Sequence, residues 1–396
     1  MNILYVSNLC SERKIDNLSR TGKIKPDFAP QKFHQLLAQG FVLNDCHIET
    51  LSPCPVNRSS HTQVFWKNET ENVGGIRFHY LPFINYPFLK QFTIFISGFS
   101  SAAYWIWRHK KKEKIIICDV LNVAVSASAL IAARLFRIQV VGVVTDLPRM
   151  MLLPKNQKIS LLEKIAPAIN EILNNSYTSY VLLTQQMHRF LNRYNRPSSV
   201  IEGVVDVNMK AVQPDKDHSL RNIIYAGSLY EAYGVKQLID AFRRVKGDDL
   251  RLSIYGSGEM EKDMDEYMKL DSRLKYYGAV TNAEVMKAEL KATLLVNPRF
   301  TNAEYTKYSF PSKNMEYMVS GVPVLTTCLP GMPRDYYEYI YMFCDESLEG
   351  FVRALTYVVS LSDEELRSKG ESAKEFVLRE KNNICQTKRI LEMVRQ

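Results

Sequence analysis

No Cys-x-x-Cys pair occurs in this sequence, and its seven cysteines (Cys10, Cys46, Cys54, Cys118, Cys328, Cys344, Cys385) are odd in number and scattered. That distribution argues against a disulfide framework and a thiolate zinc site, and it fits a reducing cytosol. No histidine-rich constellation suggests a transition metal. No Gly-x-Ser-x-Gly elbow is present, so Ser/His/Asp catalysis has no support. No run is long and apolar enough to span a bilayer. The opening Met1-Asn-Ile-Leu-Tyr-Val-Ser-Asn8 reads as a first strand and lacks the basic flank of a secretory signal. Repeats and low-complexity tracts are missing too. What is there is globular: 46% apolar and 23% charged residues over 396 positions, a length that predicts two domains.

A net charge of +9 points to an anionic partner. Its sharpest cluster is Arg108-His-Lys-Lys-Lys-Glu-Lys114, directly after a stretch holding Phe92, Phe95, Phe99, Tyr104, Trp105 and Trp107. Aromatic bulk followed by lysines suits a helix lying on an anionic membrane surface, so peripheral contact through 88–114, at the inner face of the cell membrane, is expected of a cytoplasmic protein. The alternative places the aromatics in the core and the lysines at the helix C-terminus. Nucleic acid is not expected as a partner, because no recognition motif accompanies the basic residues.

Strand–helix alternation organises the chain. Ile3 to Val6, Ile115 to Cys118, Val140 to Val144, Tyr180 to Thr184 and Ser199 to Gly203 read as strands, with helices at Gln31 to Ala38, Ala124 to Phe136, Ser160 to Asn174 and Gln186 to Tyr194. Polar residues 207–221 read as a linker. A second series follows, with strands at Ile223 to Ala226, Leu250 to Tyr255, Lys275 to Tyr277, Leu294 to Asn297 and Val322 to Thr326. Its helices are Gly234 to Val245, Met260 to Leu270, Asn282 to Lys291 and Ser312 to Val319. This pattern predicts an α/β protein of two tandem doubly wound domains facing a central cleft, 1–207 for an acceptor and 208–375 for a donor. A long helical pattern over Asp363 to Val394 ends the chain, and 376–396 is expected to pack back across the hinge.

Glycine turns follow successive strands of the second series at Gly227, at Gly256-Ser-Gly258 and at Gly278, where backbone can approach a ligand. The Gly256 turn lacks the third glycine of a dinucleotide fingerprint. Pro311-Ser312 reads as a helix start with Ser312 as N-cap. Orphan N–H groups and the helix dipole favour a phosphate there, and Lys313 adds charge. Glu316, one turn in, is placed to accept hydrogen bonds from vicinal hydroxyls of a ribose. Arg299, directly after a buried strand, is the best candidate for a fixed cation; Lys307 reads as solvated. Asp146 follows the Val140 to Val144 strand at a catalytic address, where it could orient an acceptor hydroxyl or merely cap a turn before Pro148. Asp263-Met-Asp265 matches a metal motif superficially but lies in a polar helical pattern, so no metal is expected.

These residues resemble the retaining family-4 glycosyltransferases with the GT-B fold of two Rossmann-like domains. The resemblance rests on Gly227, Ile254-Tyr-Gly-Ser-Gly-Glu259, Tyr277-Gly-Ala-Val280, Phe310-Pro-Ser-Lys-Asn-Met-Glu316 and Ser320-Gly-Val-Pro-Val324, and it covers the second half strongly and the first by pattern alone. The Phe-Pro-Ser-Lys form is similar to the branch of bacterial capsular and exopolysaccharide assembly. The resemblance implies that Glu316 holds the donor ribose, that Phe310, Pro311, Ser312 and Lys313 face the diphosphate, and that backbone near Val280 meets the base. The sequence departs from the family in four places. Tyr308 stands at a donor-side glutamate, Ser228 and Tyr233 at an Arg and a Lys, Thr145 near a His, and Ala29-Pro30 at a glycine pair. Arg299 and Lys313 are therefore expected to supply the missing cations, and Asp146 to serve the acceptor. The expected activity is transfer of a sugar from a nucleotide-diphosphate donor, a UDP-sugar first, to a glycan or lipid-linked acceptor, with no cofactor. A non-catalytic partner subunit of a glycan-assembly complex and a nucleotide-sugar epimerase are the alternatives.

Overall fold

The structure, a computed structural model, describes residues 1–23, 29–147, 172–173, 175–209 and 220–396. The helix expected over 160–174 falls largely outside the described residues, as does 210–219 of the expected linker. Contacts divide the chain into two units, Met1–Val204 with Asn383–Gln396, and Val205–Asn382.

The first unit comprises β1 (Asn2–Val6), α1 (Glu12–Thr21), α2 (Ala29–Leu43), β2 (His47–Leu51), β3 (Phe65–Trp66), β4 (Glu69–Val73), β5 (Ile76–Tyr80), β6 (Phe83–Ile84), α3 (Leu89–Arg108), β7 (Lys114–Asp119), α4 (Val123–Leu135), β8 (Val140–Val144), β9 (Ser179–Leu182), α5 (Gln185–Leu191) and β10 (Ser198–Val200). Its main sheet has the order β10-β9-β8-β7-β1-β2-β5-β4, parallel except for the β4–β5 pair. The central strands β1 and β8 are buried throughout, which is why they read as unbroken apolar runs. Successive residues of a strand face opposite sides. Tyr5 meets His34 of α2 whereas Leu4 lines a cavity beside α3, so helices cover both faces.

The sequence reading assigned nothing to residues 45–80, where β2, β4 and β5 lie. Each is only five residues long, and Ile76-Arg-Phe-His-Tyr80 alternates buried with exposed or half-buried positions, the mark of a sheet edge covered on one side. The aromatics of α3 divide between the two readings offered for them. Ile94, Gly98, Ala102, Trp105 and Ile106 face inward, and a Cβ on Gly98 would meet Ser128 Oγ at 2.4 Å, so α3 lies tightly on α4. Phe92, Ile96, Tyr104 and Trp107 are exposed, the first at 64%. Among the described residues no helix is long and apolar enough to cross a membrane.

The second unit comprises β11 (Arg221–Ala226), α6 (Val235–Phe242), β12 (Leu250–Tyr255), α7 (Met264–Leu270), β13 (Leu274–Tyr276), α8 (Asn282–Lys291), β14 (Leu294–Asn297), α9 (Ser312–Ser320), β15 (Val324–Thr327), β16 (Tyr341–Phe343), α10 (Leu348–Ser360) and α11 (Asp363–Glu380). All six strands are parallel, in the order β13-β12-β11-β14-β15-β16. Neighbouring residues Ile223 and Ile224 enter different cores, one with Phe242, Ile254 and Phe351, the other with Met315, Met318 and Phe376. The sheet is therefore apolar on both sides.

The helix expected from Gly234 starts at Val235, because Gly234 has φ +77° and ends the short 3-10 turn Glu231–Tyr233. The single helix expected over 363–394 is two. A break at Lys381-Asn382 separates α11 from α12 (Asn383–Arg395), and Lys381 is buried against the Tyr336 and Phe376 rings with Asp335 at 2.8 Å. α12 belongs to the first unit, where it packs on α2 so closely that a Cβ on Gly40 would lie 2.2 Å from the Asn383 carbonyl oxygen.

Candidate active site

Parallel strands end on one edge of the second unit's sheet, and the expected donor residues gather there. Gly227 and Gly256 end β11 and β12 and touch through their backbones. The Gly227 N–H donates to the Tyr255 carbonyl at 3.0 Å and the Gly256 N–H to the Gly278 carbonyl at 2.8 Å. Gly256 sits at φ +127°, and a Cβ there would lie 1.8 Å from the Gly227 carbonyl oxygen. Three strand-end turns are thus stitched into one surface. Gly258 opens the next turn, its N–H donating to Glu261 at 2.7 Å. Beside them Tyr255 and Tyr277 stack, with ring centroids 4.6 Å apart and planes within 7°. Val280 closes the β13 turn just before Thr281, which caps α8 by accepting from the Glu284 N–H.

The helix start at α9 differs in one detail from the sequence reading. Pro311, not Ser312, is the N-cap, and it lends no side chain to the cap. Proline fixes the extended entry, so Ser312 and Lys313 become the first helical residues. The Asn314 N–H turns back to the Pro311 carbonyl at 2.9 Å. Among the described residues the Ser312 and Lys313 N–H groups have no such acceptor, which leaves two oriented donors at the positive end of the dipole. Asn314 anchors the turn: its Oδ1 accepts from Asn297 of β14 at 2.7 Å and its Nδ2 reaches Thr326 of β15 at 3.4 Å. Asn314→Ala leaves the Asn297 amide without that acceptor. It should cost about 1–3 kcal/mol, read as a lower midpoint in denaturant unfolding.

The candidate side chains divide in role. Phe310 is buried against Tyr336, at 5.3 Å between ring centroids, so its backbone alone is available to a ligand. Glu316 is half-buried one turn into α9, and Tyr308 is half-buried before it. Lys313 does not project freely. Its Nζ lies 3.9 Å from the buried Glu289 carboxylate and over the Tyr317 ring at 5.9 Å. Arg299 is held by aromatic faces instead: its guanidinium lies 4.5 Å from the Tyr233 ring and 5.5 Å from Tyr305, while its carbonyl accepts from Thr327 Oγ1. Tyr233, one of the positions departing from the resembled family, is what fixes this cation. Sequence spacing gave no sign of that. Lys307 is exposed.

Asp146 lies in the first unit, beyond the end of β8. Burial, then the charge of Asp119, raises its pKa. Asp119 is the neighbour sequence reading missed, although Ile115-Ile-Ile-Cys-Asp119 ends a buried strand as Val140 to Val144 does. Burial alone would raise the Asp119 pKa, but His34 at 3.3 Å and donors from Leu121 N–H and Asn122 hold it below the usual range. His34 in turn meets Tyr5 Oη at 2.7 Å. The two carboxylates thus shift in opposite directions, Asp119 downward through its hydrogen-bond partners and Asp146 upward through burial and the Asp119 charge.

Residues 221–360, within the second unit, match the family model described as glycosyl transferases group 1. No curated protein sequence matches the chain. Solved structures align over its whole length. The lipopolysaccharide outer core galactosyltransferase WaaB, apo form, has a TM-score of 0.63 at 15% identity, covering 100% of this chain and 99% of that one. Sucrose-phosphate synthase from Thermosynechococcus elongatus has 0.66 at 13%, with the same coverage. Anabaena HepE in complex with UDP has 0.62 at 12%, covering 100% of both chains. The fold is therefore GT-B, with two Rossmann-like domains.

Proposed function

We propose that this chain is a retaining, metal-independent hexosyltransferase of the family-4 type. It takes a sugar from a nucleoside diphosphate, UDP first, and places it on a hydroxyl of a glycan or lipid-linked glycan during capsule or exopolysaccharide assembly. The observation that carries this reading is the α9 start, with two unpaired N–H donors on the sheet edge that also bears the glycine turns and the ring-clamped Arg299. That combination suits a diphosphate, and the similar structure of HepE is a complex with UDP. Glu316 holds the ribose, backbone at Gly256, Gly258 and Val280 lines the path to the base, and Tyr308 borders the sugar. The glycosidic bond to the diphosphate breaks as the acceptor oxygen bonds the anomeric carbon on the same face, and the acceptor proton passes to the departing phosphate oxygen. Catalysis then rests on positioning and on cationic stabilisation of the leaving group by Arg299, the helix start and Lys313. Asp146 orients the acceptor hydroxyl. The exposed Phe88, Phe92, Ile96, Tyr104 and Trp107 beside Lys110 to Lys112 support peripheral contact with an anionic membrane on the cytoplasmic side.

Acceptor-dependent UDP release is the test. Release from a UDP-sugar that requires an added glycan acceptor supports the transferase; conversion of donor without acceptor indicates an epimerase. No nucleotide binding at all, with tight binding to another glycan-assembly protein, indicates a non-catalytic partner.

Asp146→Asn separates the roles of that residue. A raised carboxyl pKa means the folded protein carries a cost above that pKa, and the cost fades as pH falls and the group protonates in both states. The variant should therefore be more stable than the parent at neutral pH and no more stable near pH 3, while losing transfer activity. Thermal unfolding against pH, with an activity assay, checks both.

A further inference from the structure

A cavity of about 370 Å³ lies in the first unit between α3 and the strands β2, β4 and β5. Its place follows from the sheet order. α3 packs on α4, which covers β7 and β1, and on the main sheet it meets β2. Beyond it the strands carry polar side chains toward the cavity: Glu49 on β2, Arg77 and His79 on β5, Thr70 on β4. Ser100, Ser101 and Arg108 answer them from α3.

Glu49 organises this floor. Its carboxylate accepts from Trp105 Nε1 at 3.1 Å and from Arg108, and it lies 3.8 Å from Arg77 and 3.6 Å from His109. One carboxylate thus faces two guanidinium groups, an excess of positive charge. Arg77 is 47% exposed at its side chain, and 3.8 Å is too long for a hydrogen bond, so its fork of donors is unused. The hydroxyls of Ser100, Ser101 and Thr70 make no hydrogen bond among the described residues either. His79 is already committed, with Nε2 at 2.7 Å from Asn68 Oδ1.

We propose that this cavity binds a phosphate group, on a phospholipid headgroup or on a soluble phosphate ester, with Arg77 as the fork and the Ser100, Ser101 and Thr70 hydroxyls as neutral donors. The chemistry is that of a planar donor pair meeting a tetrahedral anion, and Glu49 prevents the two arginines from repelling each other before the anion arrives. The exposed rings of Tyr104 and Trp107 and the lysines after α3 continue from the cavity along the same helix, which suits the lipid source. His79 is the built-in reporter. Burial lowers its pKa and the charges of Arg77 and Arg108 lower it further, against Glu49. A bound phosphate opposes those charges and raises it.

The intact chain is titrated with glycerol 3-phosphate, and separately with phosphatidylcholine vesicles with and without phosphatidylglycerol, while the His79 ring is followed by NMR. The soluble ester should raise the His79 pKa. Arg77→Gln should weaken that binding by about tenfold or more, and Arg77→Lys, which keeps the charge without the fork, should restore part of it. A half-exposed arginine without a hydrogen bond can be replaced without unfolding, checked by an unchanged unfolding midpoint. If phosphatidylglycerol vesicles also move His79 and the effect is lost in Arg77→Gln, the source is a headgroup; a response confined to the soluble ester assigns a free phosphate. A His79 pKa unmoved by both probes, or equal binding by parent and Arg77→Gln, overturns the proposal. The titration reads neither nucleotide binding nor sugar transfer, so its failure leaves the donor-site reading in the second unit untouched.

Discussion

Arg299→Ala should lower kcat/KM by about 10²–10³-fold, the loss typical when a preorganised group facing developing negative charge is removed. The reason is that little else on that edge carries free positive charge. Ser228 and Tyr233 bring none, and Lys313 shares its charge with Glu289 at 3.9 Å. Arg299 by contrast is clamped between two rings and pinned at its carbonyl by Thr327, so its guanidinium waits in position rather than being recruited. Arg299→Lys should recover only part of the activity, since an ammonium lacks the fork that meets two phosphate oxygens. Tyr233→Ala, which keeps the charge but frees it, should fall between parent and Arg299→Ala. Steady-state kinetics with a UDP-sugar ranks the three. Equal rates for parent and Arg299→Ala would remove this residue from the mechanism.

Gly256→Ala should be the most damaging single methyl in the second unit, costing about 3 kcal/mol or more. Two penalties coincide. The backbone is in a region that L side chains rarely adopt, at φ +127°, and the new Cβ would stand 1.8 Å from the Gly227 carbonyl oxygen, a backbone atom that cannot swing away. Relief requires the β11 and β12 turns to separate, which breaks the Gly256-to-Gly278 hydrogen bond as well. Thermal unfolding should show a fall of about 6–12 °C. Gly278→Ala offers a comparison: its φ of +70° is strained too, but nothing lies within 4 Å of the added Cβ, so its loss should be smaller.

Most of the second unit was legible in the sequence because apolar strands such as Ile223 to Ala226 and Leu294 to Val296 alternate with helical patterns and the first two strands end in glycine turns; β16 and α10 were not read. The first unit was less so. β2, β5 and β4 are short strands toward one side of the sheet, with β4 at its edge, and the β1–β2 and β2–β5 pairings that place them are long-range. Candidate site residues were legible where a strand end or a helix start marks them, as at Glu316 and Arg299. What was hidden lies in three-dimensional partnership. Tyr233 reads as a lost cation in sequence but holds one in space, Asp119 acquires its character from His34, and Lys313 is drawn toward Glu289. The Pro311 cap shows the same limit on a smaller scale, since serine is the commoner cap but proline's fixed φ decided the entry.

Calorimetric titration of UDP and UDP-sugars into the parent chain and Glu316→Ala tests the central claim most directly. A donor site at the α9 start predicts one nucleotide bound per chain, with selectivity for one UDP-sugar. It also predicts affinity weakened by about tenfold or more when Glu316 no longer accepts from the ribose. Absence of binding by the parent to any nucleotide, or identical affinity in Glu316→Ala, would contradict it.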